Sequence, residues 1–429
     1  MATFIIQGGK SLQGDITVRG AKNATTPILA ASVLLSGKTT LHNVPRISDV
    51  ETMLALLTSM GADVHWDAEH SVTVDARTID PGRLDMSQVA KIRSSMLLVG
   101  CLAHRFGTVH MSVPGGCNIG SRPLDAHFDA LRSLGFECTS DGNSFTVTRK
   151  TEPASEVVMS EFSVTATENV ILASVLADRE TAITCAAADH VVQDLCWFLS
   201  AAGATISGIG THSLKIRGVK KLKGGSYTIM PDPIETGSLL ILAAATHSSI
   251  RIRDAAPEFL ALELLKLREA GLVYAVSDER MDEGKHYRLA SLTTHKTHTL
   301  RSLKKVHPMP YPGISADLIQ PFALLMTQAQ GNSLLHDWMY DGRLRYVTEL
   351  QKMGANITVL DPHRIVIVGP TPLYGTEITS YDLRAGATLV LAGVVADGET
   401  VIHGAEQVDR GYEKLDERLR SLGAAIRRT

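Results

Sequence analysis

This chain has little net charge, few cysteines and no long apolar run, and each shortage excludes something. Lys and Arg number 42 against 45 Asp and Glu, leaving a formal net charge of -3. Such a balance gives no bulk attraction to nucleic acid or to an anionic membrane, so any anion site must be local. No stretch approaches the ~18 uninterrupted apolar residues of a membrane span. The opening MATFIIQGGK also lacks the basic-then-apolar pattern of a secretory signal. The expectation is a cytoplasmic protein without nucleic-acid, membrane or obligate protein partners. The five cysteines, Cys101, Cys117, Cys138, Cys185 and Cys196, are odd in number and never in CxxC spacing. Disulfides and a structural zinc site are not expected. Four of them sit among apolar or small residues, as packing thiols do; Cys117, in SVPGGCNIGSRPLD, lies between glycines and an arginine.

What the chain does have is length and repetition. At 429 residues it exceeds a single core, which usually stops near ~250 to 300 residues. A leucine-rich helix end stopped by glycine recurs six times, at Gly61, Gly135, Gly203, Gly271, Gly354 and Gly423. Each glycine suits the left-handed position after a helix and is followed by a strand-like run. In phase with these, six helices rich in Ala, Gly and Ser, such as ENVILASVLADRETAI, suit close burial. The unit reads as strand, buried helix, strand, exposed helix, hairpin. The sixth copy stops at AAIRRT, and FIIQGGKSLQGDITVRG aligns with its missing part, so residues 1 to about 20 should complete it. This predicts an α/β fold of two lobes with three units each. One lobe takes residues 1–20 plus 231–429, the other 21–230, with a cleft between them.

Aligning the units puts Lys22, Arg93, Ser163, Asp232, Asp317 and Arg384 at comparable places before the buried helices. Cys117, Arg122, Arg343 and Arg410 come before the second helices. Helix N-termini normally attract Asp, Ser and Thr, so cations at several related positions suggest a multiply charged anionic ligand.

The segments GAKNA, PGGCNIGSRPLD, PDPIETG, DLRAGA and DRGYE closely resemble the enolpyruvyl transferases over essentially the whole chain. The resemblance implies a two-lobed inside-out α/β barrel. It also implies transfer of the enolpyruvyl group of phosphoenolpyruvate to the 3′-hydroxyl of UDP-N-acetylglucosamine, releasing phosphate, without metal or organic cofactor. That places the chain in peptidoglycan synthesis, hence cell wall biogenesis, cell shape and cell division, and makes it a fosfomycin target. In that scheme Cys117 donates a proton to C3 and Asp317 takes the proton of the sugar hydroxyl. Lys22, Arg122 and Arg410 hold the phosphate and carboxylate of phosphoenolpyruvate, with Arg343 and Arg384 in the same cluster. Asn23, Arg93, the run Arg122, Pro123, Leu124, Asp125, Ala126, the stretch Glu161, Phe162, Ser163, Val164, then Asp317 and Met339 fall on UDP-sugar positions. The cysteine loop separates this reading from a paralogue acting on shikimate 3-phosphate. Retention of both acid and base separates it from a silent nucleotide-sugar sensor. Departures from the commoner family pattern at Ser48, Glu161, Thr165 and 186–194 all lie on the nucleotide side.

Overall fold

The repeated glycines set the local geometry. In the computed structural model, which describes residues 2–115, 123–151, 154–297 and 299–429, the six have φ between 98° and 110°. A side chain would be strained there, so glycine is the residue that can turn the chain out of a helix at these points. At Gly203 the N–H donates to the Ser200 carbonyl at 3.0 Å and that of Ala204 to the Leu199 carbonyl at 2.9 Å. The same pair of bonds closes the helices before Gly61, Gly271, Gly354 and Gly423.

Contacts divide the chain into two units. Residues 2–19 and 231–429 form what we call the terminal unit, and 20–115 with 123–230 the insert unit. Helices α1 (Lys22–Ala31), α2 (Leu97–Phe106) and α3 (Val164–Ser174) belong to the insert unit. Helices α4 (Pro233–Ala245), α5 (Ile319–Thr327) and α6 (Leu383–Val395) belong to the terminal unit. Every residue of α4 and α5 is buried, and α4, α5 and α6 pack on one another. Small residues permit this approach. A Cβ on Gly237 of α4 would lie 2.7 Å from Leu318 Cδ1, next to Asp317. The leucine-ended helices are amphipathic instead; Arg345–Lys352 buries Tyr346, Val347, Glu349 and Leu350 and leaves the rest toward solvent.

Among the described residues each unit carries three sheets, giving a mixed α/β fold. Those of the terminal unit all have four strands, and the insert unit has two of four and one of three. Strand Thr3–Gln7 pairs antiparallel with both Glu399–His403 and Ala425–Arg428, supplying the hairpin partner missing from the sixth repeat. The next strand does something the repeat did not predict. Gln13–Thr17, the connector before the first repeat's buried helix, pairs in parallel with Ser249–Ala255 of the fourth, while Ser226–Thr228, the connector before the fourth's, pairs in parallel with Thr39–His42 of the first. Elsewhere such a connector strand joins the strand of its own repeat, as Glu156–Val158 joins Glu180–Thr184. The two connectors are exchanged where the chain passes between units. Residues 17–19 are fixed in the terminal unit by Arg418, which pairs with Glu235 and donates to the Thr17 carbonyl at 2.8 Å. The Arg19 N–H donates to Glu235 at 2.8 Å.

Cys101, Cys138 and Cys196 are buried. Burial pushes the Cys101 thiol up to about 12 and that of Cys138 up to about 11, which makes them poor nucleophiles. Among the described residues no helix is long and apolar enough to cross a membrane.

Candidate active site

In the terminal unit the 3-10 turn Ala316–Leu318 leads into α5 and presents Asp317. Ser315 shapes this turn: its hydroxyl accepts from the Asp317 N–H at 3.3 Å, while its own N–H donates to Glu263 at 2.9 Å. Two arginines converge on the Asp317 carboxylate. Arg343 Nη2 donates to Oδ1 at 3.1 Å and Arg384 Nε to Oδ2 at 2.9 Å. The arginine side chains are 1% and 4% exposed, but that of Asp317 is 25% exposed. A carboxylate can accept about four hydrogen bonds, and the exposed part of this one can be reached by a ligand hydroxyl.

Arg384 sits in the first turn of α6, whose N-cap Asp382 accepts from the Arg384 and Ala385 N–H groups at 2.8 and 2.9 Å. Its Nη1 donates to the Tyr412 hydroxyl at 3.1 Å. Burial disfavours charge on this guanidinium, but Asp317, Tyr412 and Asp232 outweigh it and raise its pKa. Asp232 caps α4, and burial pushes it up to about 6 against the pull of Arg384. Arg343 lies 3.7 Å from the buried Asp337, too far for a hydrogen bond. Burial pushes Asp337 up to about 6. Nε and Nη1 of Arg343 are buried without a hydrogen-bond partner among the described residues. Buried, unsatisfied cationic donors beside a partly exposed carboxylate suit a site for an anionic ligand bearing a hydroxyl.

In the insert unit Lys22 opens α1, which has no side-chain cap, and its Nζ pairs with Asp49 at 2.7 Å. Asn23 is exposed beside it. Arg93 donates to the Pro123 carbonyl at 3.2 Å, just before the helix Asp125–Ser133. Ser163 caps α3, its hydroxyl accepting from the Ala166 N–H at 3.4 Å. The preceding Phe162 is 41% exposed and packs its ring on His212, centroids 4.7 Å apart. Beneath these segments lies a buried polar chain. Asn169 of α3 accepts from the Gly100 N–H at 2.8 Å and donates to the Met96 carbonyl at 2.9 Å; its Nδ2 also meets His127 Nδ1 at 3.0 Å. His127 Nε2 in turn meets the Thr165 hydroxyl at 3.1 Å. Burial and the charge of Arg93 bring the His127 pKa down to about 3, so the ring is neutral at physiological pH. Deeper in the unit, burial holds the Glu168 carboxyl well above its ordinary range and brings Asp189 up to about 6.

Of the residues singled out in the sequence, the structure brings Asp317, Arg343 and Arg384 into direct contact. It puts Arg93 on Pro123, with Leu124, Asp125 and Ala126 following. Glu161, Phe162, Ser163 and Val164 form the approach to α3. Met339 is half-buried in the segment between Asp337 and Arg343, and Arg410 is half-buried at the end of a 3-10 helix that packs on α6. Cys117 and Arg122 lie outside the described residues. Sequence reasoning missed Asp49, Asp337, His127 and Asn169. Asp337, in HDWMYDGRLR, was the one open to discovery, because an acid six residues before a repeat-aligned arginine is a natural pairing candidate.

The geometry so far describes an α/β protein with a carboxylate fixed by two buried arginines, and comparison with known proteins gives its lineage. The chain belongs to the enolpyruvyl transferase family: a profile for EPSP synthase (3-phosphoshikimate 1-carboxyvinyltransferase) matches residues 6–419. Within it, the UDP-N-acetylglucosamine 1-carboxyvinyltransferase of Coxiella burnetii is 40% identical over 432 residues, covering 100% of this chain and 96% of that protein. The protein of the same name from Bradyrhizobium diazoefficiens is 40% identical over 426 residues, covering 99% and 97%. Among solved structures, the enolpyruvyl transferase NikO from Streptomyces tendae superposes with a TM-score of 0.88 at 25% identity, covering 100% of this chain and 99% of that one. EPSP synthase from Acinetobacter baumannii, at 20% identity and a TM-score of 0.76 with both chains fully covered, shares the fold.

Proposed function

We propose that this chain is a UDP-N-acetylglucosamine 1-carboxyvinyltransferase. It transfers the enolpyruvyl group of phosphoenolpyruvate to the 3′-hydroxyl of UDP-N-acetylglucosamine and releases phosphate, an early step of peptidoglycan precursor synthesis in the cytoplasm. On this reading each set of three sheets and three buried helices is one lobe of an inside-out α/β barrel. The observation that carries the mechanism is Asp317, held by two buried arginines and itself partly exposed.

The chemistry follows from the substrates. The enol ether is inert until C3 takes a proton, which Cys117 supplies; C2 then becomes oxocarbenium-like. The 3′-oxygen of the sugar bonds to C2 as its proton passes to Asp317. When C3 returns a proton to the Cys117 thiolate, the C2–O bond to phosphate breaks and phosphate leaves. Lys22, Arg122, Arg343, Arg384 and Arg410 supply the positive charge that binds the carboxylate and phosphate and opposes the charge that departs. Lys22 must exchange Asp49 for substrate phosphate to do so. The nucleotide lies along Asn23, Arg93, Pro123–Ala126, Glu161–Val164 and Met339.

Phosphate release from phosphoenolpyruvate tests the reading. It should require UDP-N-acetylglucosamine, proceed in chelator, and not occur with shikimate 3-phosphate. Turnover with shikimate 3-phosphate alone would replace this reading with the paralogue. Tight nucleotide-sugar binding without any release would replace it with a sensor.

A further inference from the structure

Arg343 lies between two acids that differ in what they bond. Its Nη2 donates to the partly exposed Asp317 at 3.1 Å, while its Nε is 3.7 Å from Asp337, whose side chain is 1% exposed. The backbone of Asp337 is pinned: its N–H donates to the His363 carbonyl at 2.8 Å, and its own carbonyl meets His363 Nδ1 at 2.9 Å. Its carboxyl is not. Among the described residues neither Asp337 oxygen has a hydrogen-bond partner, and neither do Nε and Nη1 of Arg343 or the hydroxyl of the buried Tyr346. Buried carboxyls that serve as structural links accept hydrogen bonds. An acid that accepts none acts on its neighbours through its charge. Burial disfavours charge on Arg343, and Asp317 and then Asp337 outweigh it. Burial raises Asp337 to about 6, with Arg343 pulling it down and the charge of Asp317 pushing it up. Such coupling is mutual, so charge on Asp337 must equally favour a proton on Asp317.

We infer that Asp337 is a positioning residue for proton transfer to Asp317: it shares the charge of Arg343 and so leaves Asp317 the stronger base. This inference rests on the functional reading above and adds to it a second carboxylate, buried behind the first arginine. When the proton of the 3′-hydroxyl passes to Asp317, that carboxyl becomes neutral. Arg343 then keeps Asp337 as its counter-charge, and no buried cation is left unpaired during the step. The other groups that bear on Asp337 are few. His363 acts on it as a cation and itself meets Asp341 at 3.2 Å, and Tyr346 keeps its proton because burial and Asp337 both hold it there. Asp232 on α4 bears on Arg384 instead.

Single-turnover phosphate release by the full-length protein, followed between pH 5 and pH 8, tests this. Asp337→Asn keeps the shape and holds the group in its neutral form. At pH 7.5 its rate should fall roughly three- to tenfold, the effect of one nearby charge on the strength of a base. Below about pH 6 the two rates should converge, because native Asp337 is then protonated as well. The KM values for both substrates should change little. Asp337→Glu, which keeps the charge, should recover most of the lost rate at pH 7.5. Convergence should persist when both proteins also carry His363→Gln, which removes the other titrating neighbour. A loss of equal size at every pH, a loss confined to KM, a glutamate variant as slow as asparagine, or convergence that vanishes with His363 would overturn the inference. A measurement that needs no substitution at Asp337 is carbon-13 titration of its carboxyl. In Asp317→Asn it should titrate at lower pH than in the unsubstituted protein, and an unmoved midpoint would overturn the coupling. Failure of the unsubstituted protein to release phosphate with UDP-N-acetylglucosamine would be distinct from all of these, since it removes the functional reading itself.

Discussion

The terminal and insert units differ in the buried polar cluster that each carries. In the terminal unit charge meets charge: Asp317 accepts from two arginines that are almost wholly buried. In the insert unit the chain beneath α3 is neutral, with His127 brought down to about 3, and the charge is kept to the pair of Lys22 and Asp49 at the start of α1. Buried ions are costly unless fixed in good geometry, and removing one partner typically costs 3–5 kcal/mol. Such a cluster is worth keeping where the substrate is itself a small, dense anion. A neutral chain of hydrogen bonds costs less, and it suits a substrate whose recognition is spread over a larger surface.

The largest effects are expected at the two groups proposed for proton transfer, Cys117 and Asp317. Cys117→Ser should be nearly inactive in phosphate release, since a hydroxyl is far too weak an acid to protonate carbon. Cys117→Asp should retain substantial turnover with its optimum moved to lower pH, and should resist fosfomycin, which is expected to alkylate the native thiol. An equally active serine variant, seen in the same assay, removes the thiol from the chemistry. Asp317→Asn should lower kcat by roughly 10²- to 10⁴-fold while UDP-sugar affinity, measured by calorimetry, changes much less. Binding lost in proportion to turnover would make Asp317 an anchor instead of a base.

Stability gives the next effect in size. Asp189 has its folded pKa raised from 3.8 to about 6 by burial. Its contribution to stability is therefore complete below 3.8 and lost as pH rises through 6. Asp189→Asn removes the ionisation, so the variant should match the native protein near pH 4 and exceed it at pH 7.5 by on the order of 1–3 kcal/mol in urea unfolding. A constant difference across that range would show that burial of the charge is not the cause.

The smallest effect asks where the units are alike. A Cβ on Gly203 or on Gly423 would meet nothing within 4 Å, so only the positive φ opposes a side chain. Gly203→Ala in the insert unit and Gly423→Ala in the terminal unit should each cost about 1–2 kcal/mol. Unequal costs would mean that the repeats differ in backbone strain despite their matching angles.

The parts of the fold legible in the sequence were those set within one repeat. Gly61 through Gly423 announced helix ends because a left-handed residue has few alternatives to glycine, and the small-residue helices announced burial. The exchange of Gln13–Thr17 and Ser226–Thr228 was not legible. A connector strand reads the same whichever sheet edge it joins, and its partner is decided by where the chain passes between units. At the site, Arg343 and Arg384 were visible as cations in places that normally favour acids. The pairing of Lys22 with Asp49 was not, since an aspartate in a helical first turn is ordinary. His127 gave no signal at all: its role depends on two hydrogen bonds to another helix.

The exchanged strands and the shared terminal sheet also bear on how the protein is made. All of the insert unit's chain lies between residues 20 and 230, and its two ends meet where the Ala21 N–H donates to the Met230 carbonyl at 2.8 Å. It can close while the ribosome is still extending the chain. The terminal unit has to wait, because Phe4 pairs opposite Arg428 and Ile6 opposite Ile426. Until residues 425–428 have been made, the apolar strand Thr3–Gln7 lacks at least one of its two neighbours, an unpaired edge that invites association with other chains. Vectorial synthesis thus leaves Thr3–Gln7 unsecured long after it is made.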